Sequence, residues 1–533
     1  MSTRPHSAAA RVARLRVLAT GIVLLAGCLA AAPLAAKTLR FASAFDPQSL
    51  DPHALALLYQ TRVVSQIYES LVSRDRNFAI EPALATSWQQ VDPKRWRFKL
   101  RPNVKFHDGA PFTADDVVFS ITRALAKNSQ RAFQLRGVLE ARKVDPLTVD
   151  VILEAPDAVL PEKLIYVGIM NKAWSAAHDV VEPQNYNAKQ ETYAVRHTNG
   201  TGPYALKSYE SDVRCELVAN PHWWGRRGNV DEATYVVIQS DATRLAALIS
   251  GQVDLVIDPP FQDVPRLQKE ARFKLAQITD IGTQYLGFDQ SRDELQFGDV
   301  KGRNPFKDRR VRLALYQAID TDAINRVVMR GLAVPAGLIL PNPEAAGVPA
   351  ALNKRFAYDV AAAKRLLAEA GYPHGFSTVI DCQNVRESVC TAIAGMLARI
   401  GVNVRVNSLQ NARYFAKGQA RDTSFYLLGW GGPNTDAIFT LQPLLHGRNE
   451  KGDGDYNWGD YRDAKMDALI DQAKVEMDGA KRQALIDEAL KMVRDNVYLI
   501  PIHRRMAPLA SRANVQVVVR PDSWVEVSWV NLK

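Results

Sequence analysis

Two hydrophobic periods alternate along this chain. "RWRFKLR" (95–101) sets Trp96, Phe98 and Leu100 between basic residues, the two-residue period of a strand with one buried face. "YQTRVVSQIYESLV" (59–72) places Val63, Val64, Ile67, Tyr68 and Leu71 on one helical stripe. "KTLRFASA" (37–44) predicts a first strand. "TADDVVFSITRAL" predicts a helix starting at Thr113, a good N-cap with Asp116 three residues on. "SDATRLAALISGQVDLVID" predicts a helix with Leu245, Leu248 and Ile249 on one side, a stop at Gly251, and a strand over "VDLVI". "VAAAKRLLAEAGY", "STVIDC", "SVCTAIAGMLARIG" and "VNVRVNSL" continue the rhythm, with Gly371 and Gly401 as helix stops. Two late helices then lead into "VYLIPIH" (497–503). Strands alternating with helices predict an α/β architecture whose sheets are covered by helices.

The N-terminus follows another pattern. Arg4, Arg11, Arg14 and Arg16 precede the apolar run "VLATGIVLLAGCL" (17–29). The run is short for a bilayer span and suits a signal-peptide core. Two cleavage readings compete. "LAGC" resembles a lipobox that would lipidate Cys28 after removal of residues 1–27; cleavage after "PLAA" would remove residues 1–36 and leave Lys37 first. No later stretch approaches 18 apolar residues, so the expectation is an exported periplasmic protein that meets the membrane only through a lipid on Cys28, if there is one.

Length and charge narrow the class. The 533 residues exceed one domain. The net charge is +10, and four arginines without acids in the first 36 residues leave +6, interspersed with acids. That reads as a solvated surface rather than a nucleic-acid site. Cys382 and Cys390, eight apart in "DCQNVRESVC", are expected to pair as a disulfide in an oxidising compartment, against two buried thiols as the alternative. Cys215 has no evident partner and reads as a small core residue.

Several stretches, in order, resemble the bacterial extracellular solute-binding proteins of family 5, which include dipeptide-, oligopeptide-, nickel- and glutathione-binding receptors of ABC importers. They are "SLDPH", "QIYESLV", "LATSWQQVDPKRWRFKLRPNVKFHDGAPFTADDVVFS", "GTGPYAL", "NPHWW", "YLGFDQS", "PFKDRRVRLALYQAID", the loop at Trp430 and "YLIPIH". The resemblance covers the chain after the leader. It implies a two-lobed periplasmic-binding-protein type II fold. Lobe I would be residues 37–282 plus 506–533, with an inserted subdomain at about 74–198, and lobe II 283–505. Two crossings near "TQYLGF" and "PIHRRM" would form a hinge, with ligand held between the lobes.

The chemistry is that of binding, not catalysis. The nine histidines are scattered, with no H-E-x-x-H and no pair at ligand spacing, so no metal site is expected. "NGTGPY" lacks the Lys-Ser/Thr ending of a phosphate loop, and neither G-x-S-x-G nor a distinct Ser-His-Asp set occurs, so no catalytic residue and no cofactor are expected. In peptide-binding relatives an Asp three residues after the equivalent of Trp430 pairs with the peptide amino group; here Pro433 stands there. The expected ligand contacts are Trp430, Asn434, Asp436 and Arg386, with Tyr285 and Phe45 as further candidates. Trp430 offers a stacking face, and Arg386 a bidentate carboxylate partner. Asp436 is either a cation partner or the cap of a helix over "AIFTLQPLL". Gly429, Gly431 and Gly432 would admit a ligand close to the backbone. The expected function is a monomeric receptor that captures a peptide or peptide-like solute and delivers it to the membrane subunits of an ABC permease. A nickel chelate, an opine or a sugar is the alternative ligand; a periplasmic hydrolase or a holdase chaperone is the alternative of another class.

Overall fold

The computed structural model describes residues 1, 36–341, 343, 346–431, 435–450 and 452–533. The leader, Cys28, Pro433 and Asn434 lie outside the described residues.

Two long strands, Phe273–Phe288 and Ile500–Arg512, run antiparallel through the middle of an 11-stranded sheet. Beyond one side lie Leu255–Ile257, Thr38–Ser43 and Glu232–Val237, mutually parallel, followed by two antiparallel edge strands. Beyond the other lie Phe425–Trp430, Phe376–Gln383 and Val402–Leu409, also parallel to one another. Such parallel strands need helical crossovers, and the predicted strand–helix rhythm supplies them. In the second half, helix Glu387–Ala398 links Phe376–Gln383 to Val402–Leu409. The sheet there is buried on both faces, so strand residues pack alternately into two cores. Phe425 and Leu427 enter one, Tyr426 and Leu428 the other.

The local signals at helix ends are realised. Thr113 and Asp116 form a reciprocal capping box on helix Ala114–Leu125, worth about 1 kcal/mol. Gly251 closes helix Asp241–Ser250 with φ +83°, a left-handed conformation that glycine adopts without Cβ strain. Helix Ala114–Leu125 packs on a separate four-stranded antiparallel sheet, ordered Ala85–Asp92, Arg95–Leu100, Thr148–Leu153, Val138–Asp145. This sheet has its own apolar core, which includes Phe98, Val117 and Val151.

One predicted element differs. The stripe over 59–72 predicts a helix reaching Leu71, but the helix is Leu58–Val64. Long-range bonds replace the next turn. The Gln66 amide donates to Val525 O and accepts from Val527 N, while Ile67 O accepts from Gly202 N. Ile67, Tyr68 and Leu71 still face a core, but as a turn held by distant chain.

Candidate functional site

The ladder registers locate a gap. Ile257 pairs with Leu509, and Leu509 with Ala276. Continuing past Ile257 therefore leads toward the Thr279–Met506 pair. From the other half, Trp430 ends its strand opposite Thr283. The carboxyl ends of both sets of parallel strands thus point at the same place, residues 279–283. There the ladder breaks: Thr279 pairs with Met506 but Thr283 with Arg504, leaving Asp280, Ile281 and Gly282 bulged opposite Arg505. A bulge bends the ribbon and strengthens its twist. Asp280 pins it by accepting from Gly282 N at 3.0 Å and pairing with Arg505 at 3.0 Å. Ligands of α/β sheets favour such carboxyl edges.

Arg386 and Trp430 meet at this edge. Arg386 follows strand Phe376–Gln383 in the loop closed by the Cys382–Cys390 disulfide. Its guanidinium lies across Gly429: a Cβ there would fall 2.7 Å from Nη2 of Arg386 and 2.6 Å from Nε2 of Gln284. A side chain at 429 would push aside the flexible ends of Arg386 and Gln284 that now lie over the backbone. Gly431 has a similar role, since its Cβ would meet Gly282 Cα at 2.6 Å. The two glycines admit the protein's own groups rather than a ligand.

Arg386 is half-buried and has no carboxylate partner among the described residues. Burial and the nearby Arg505 lower its pKa. Burial, followed by the fields of Arg505, Arg386 and Arg355, pushes His503 down to about 4, so the imidazole is neutral. This part of the gap carries unmet positive charge. Trp430 is half-buried, with its ring edge-on to Tyr456 at 5.1 Å.

The other sequence-based candidates lie elsewhere. Asp436 forms a two-pronged pair with Arg482 at 2.6 and 2.8 Å and accepts from Ile438 N at 2.9 Å, at the start of helix Ile438–Leu445. The cap position itself is Ala437, so Asp436 holds the first helical N–H from one residue before the cap, and a protein cation already occupies its carboxylate. Tyr285 is fully buried in the second-half core, its hydroxyl without a partner. The adjacent Leu286 packs into the opposite core, so this position faces packed protein on either side. Phe45 is exposed at the carboxyl end of Thr38–Ser43 and stacks on Tyr59 at 5.4 Å. Cys215 is a buried thiol, pushed up to about 12 by burial.

A cavity of about 310 Å³ was not evident from sequence. It lies where the first half, the small sheet's domain and the C-terminal tail meet, and Trp223, Trp224, Trp524 and Trp529 line it. Glu69 lines it too, accepting both indole N–H groups of Trp223 and Trp224 at 3.0 and 3.1 Å; burial pushes its carboxyl up to about 7. Arg131, Tyr166, Glu81, Arg520 and Glu526 are among its other polar lining residues. The loop after Trp430 passes beside this region. Gly431 packs on Gly282, Ile281 N donates to Pro521 O of the tail, and Thr435 donates through N and Oγ1 to Glu162. "QIYESLV" and "NPHWW" were signals for part of this wall, but nothing local joined them to the tail tryptophans.

Among the described residues one set of potential metal ligands converges: His446, Asp453 and Asp471. The Lys474 ammonium, 3.1 Å from Asp453 and 3.4 Å from Asp471, already bridges the two acids.

Comparison with known proteins decides the family. A family model described as bacterial extracellular solute-binding proteins, family 5 (middle), matches residues 79–452. The chain belongs to this family. Family 5 members are substrate-binding receptors of ABC importers, not enzymes. Heme-binding protein A of Haemophilus influenzae is 29% identical over 483 residues, 84% of this chain and 83% of that protein. The glutathione-binding protein GsiB of Escherichia coli is 26% identical over 506 residues, 92% and 93% of the two chains. The structure of HbpA2 from Haemophilus parasuis superimposes with a TM-score of 0.81 at 25% identity, covering 93% of this chain and all of that one. The fold is accordingly the multi-domain type II periplasmic-binding architecture of family 5.

Proposed function

We propose that this family 5 protein is an exported receptor that captures a peptide or peptide-like solute between two lobes and delivers it to an ABC permease. The single observation that carries the reading is the convergence of Arg386 and Trp430, from separate strands, on a gap formed by two facing carboxyl edges. Arg386 takes a carboxylate of the solute as a two-pronged, charge-assisted pair. Trp430 supplies a flat apolar face. Asn434, on the same loop, and Phe45, on the opposite edge, are the next contacts. Asp436 and Tyr285 hold the structure around them.

The lobe boundary falls at the ladder break, between residues 282 and 283 and again between 505 and 506, with an inserted subdomain over about 74–198. Solute held from both sides favours the closed arrangement, because only that arrangement satisfies both sets of contacts. The leader directs export, with maturation at Lys37 or at a lipidated Cys28. The protein acts as a monomer and performs no chemistry. Pro433, where peptide receptors carry an acid, and the engaged Asp436 leave no free carboxylate on this loop for a peptide amino group. A ligand blocked at or lacking a free amino terminus fits better than an ordinary dipeptide.

The test is mass spectrometry of solutes released on denaturing the purified protein, followed by thermal shift with peptides, blocked peptides, glutathione, opines, nickel chelates and sugars. A ligand at 100 times its Kd stabilises by about 2.7 kcal/mol. A sugar that raises the melting temperature while every carboxylate fails would overturn the reading. So would hydrolysis of a bound peptide, abolished by one point substitution, or suppression of aggregation without any solute. The mass of the secreted chain reports where the leader is cut.

A further inference from the structure

We propose that the tryptophan-lined cavity receives a second anionic group of the same solute, so that this receptor selects compounds carrying two carboxylates, one for each lobe. The inference rests on the receptor reading above and names its substrate class.

Arg131 is the first observation. The residue is 3% exposed, and its side-chain hydrogen bonds all go to uncharged groups: Pro52 O at 3.4 Å, Gln60 Oε1 at 3.2 Å and Thr61 Oγ1 at 2.8 Å. Nη1 has no hydrogen-bond partner among the described residues. A buried charge without an opposite charge is costly and marks a place where one can be supplied. Burial lowers the pKa of Arg131 to about 10, which still leaves it charged at neutral pH.

Tyr166 is the second. Its hydroxyl is buried in the same cavity, beside the Arg74 guanidinium and within the field of Arg520. A hydroxyl placed there can donate its proton to an added carboxylate oxygen. The third observation is that two of the three acids lining the cavity are engaged, and the third, Glu81, lies in the field of Arg520. Glu526 pairs with Arg520 at 2.8 Å, and Glu69 holds two indole N–H groups. The buried cation left without an opposite charge is therefore Arg131, with the Tyr166 hydroxyl and four indoles lining the same cavity. That suits a carboxylate on a flat or apolar arm. The Trp430 loop, held on Gly282 and Glu162, keeps the cavity next to the gap where Arg386 waits.

The probes are N-succinyl-alanyl-phenylalanine, with two carboxylates, and N-acetyl-alanyl-phenylalanine, with one. Calorimetry should show the succinyl peptide binding the full-length mature receptor roughly 10-fold tighter, the size of one hydrogen-bonded charge. Arg131→Met should remove that advantage. Tyr166→Phe, which keeps the ring and removes only the hydroxyl, should also reduce it; this variant remains informative if Arg131→Met fails to fold. Arg386→Met should weaken both peptides. Equal affinity of the two peptides for the wild type, or an advantage that survives both Arg131→Met and Tyr166→Phe, overturns the second subsite and leaves the receptor reading standing. Failure of both peptides to bind overturns the two together.

Discussion

Asp436→Asn separates two roles that the loop sequence leaves open. The substitution keeps the shape and an oxygen able to accept from Ile438 N, but removes the charge opposite Arg482. The pair is nearly buried, with 13% side-chain exposure on each partner and contacts of 2.6 and 2.8 Å. Removing one member of a well-buried pair costs about 3–5 kcal/mol. Two features reduce that here. Arg482 Nε keeps its bond to Ala473 O, and both side chains retain some solvent contact. The expected loss is about 2–3 kcal/mol, the scale of hydrogen bonds to a charged group. If the proposed second lobe unfolds as a unit, this lowers its melting temperature by roughly 5–10 °C. Calorimetry should place the loss in one of two transitions, because the lobes need not unfold together. Affinity for a carboxylate ligand, measured well below the transition, should change less than 3-fold, roughly the size of a contact outside the site. An unchanged melting temperature with a large loss of affinity would refute the argument and make Asp436 a ligand clamp after all.

Arg386→Met should weaken binding of a carboxylate solute roughly 30-fold or more while leaving the matching amide nearly unaffected, as titration of the acid and amide pair will show. It should not lower the unliganded melting temperature, since it removes a cation facing Arg505 without a carboxylate of its own. Glu69 makes a pH prediction. Its folded pKa, raised to about 7, lies above the unfolded value of 4.5, so the folded chain binds this proton more tightly. The contribution is fully present below pH 4.5 and is lost as pH rises through 7, by an amount on the order of 3 kcal/mol. His503, lowered to about 4, has the opposite slope between pH 4 and 6.5, so stability of Glu69→Gln minus wild type across pH 4–8 is the quantity to measure. A difference independent of pH would refute the assignment. Cys390→Ser should cost about 2–3 kcal/mol by freeing a short loop. It should also weaken carboxylate binding, because that loop carries Arg386; equal affinity with and without reductant would argue against Arg386 as a contact.

Local chemistry decided much of this protein before any folding is considered. The two-residue period of "RWRFKLR", the Thr113–Asp116 box and the stop at Gly251 depend on neighbours within a few residues, and each element forms as the pattern implies. The order of the family-like stretches along the chain likewise carried the architecture. Tertiary structure decided the rest, because burial and pairing join residues far apart. Asp436 meets an arginine 46 positions later. Tyr285 is sealed because adjacent residues of a central strand fill opposite cores. The helix predicted to reach Leu71 ends early because Gln66 bonds to the tail more than 450 residues away. Arg131 reads in sequence as one basic residue among 67; only the cavity around it, assembled from segments between Pro52 and Trp529, shows a charge without a partner.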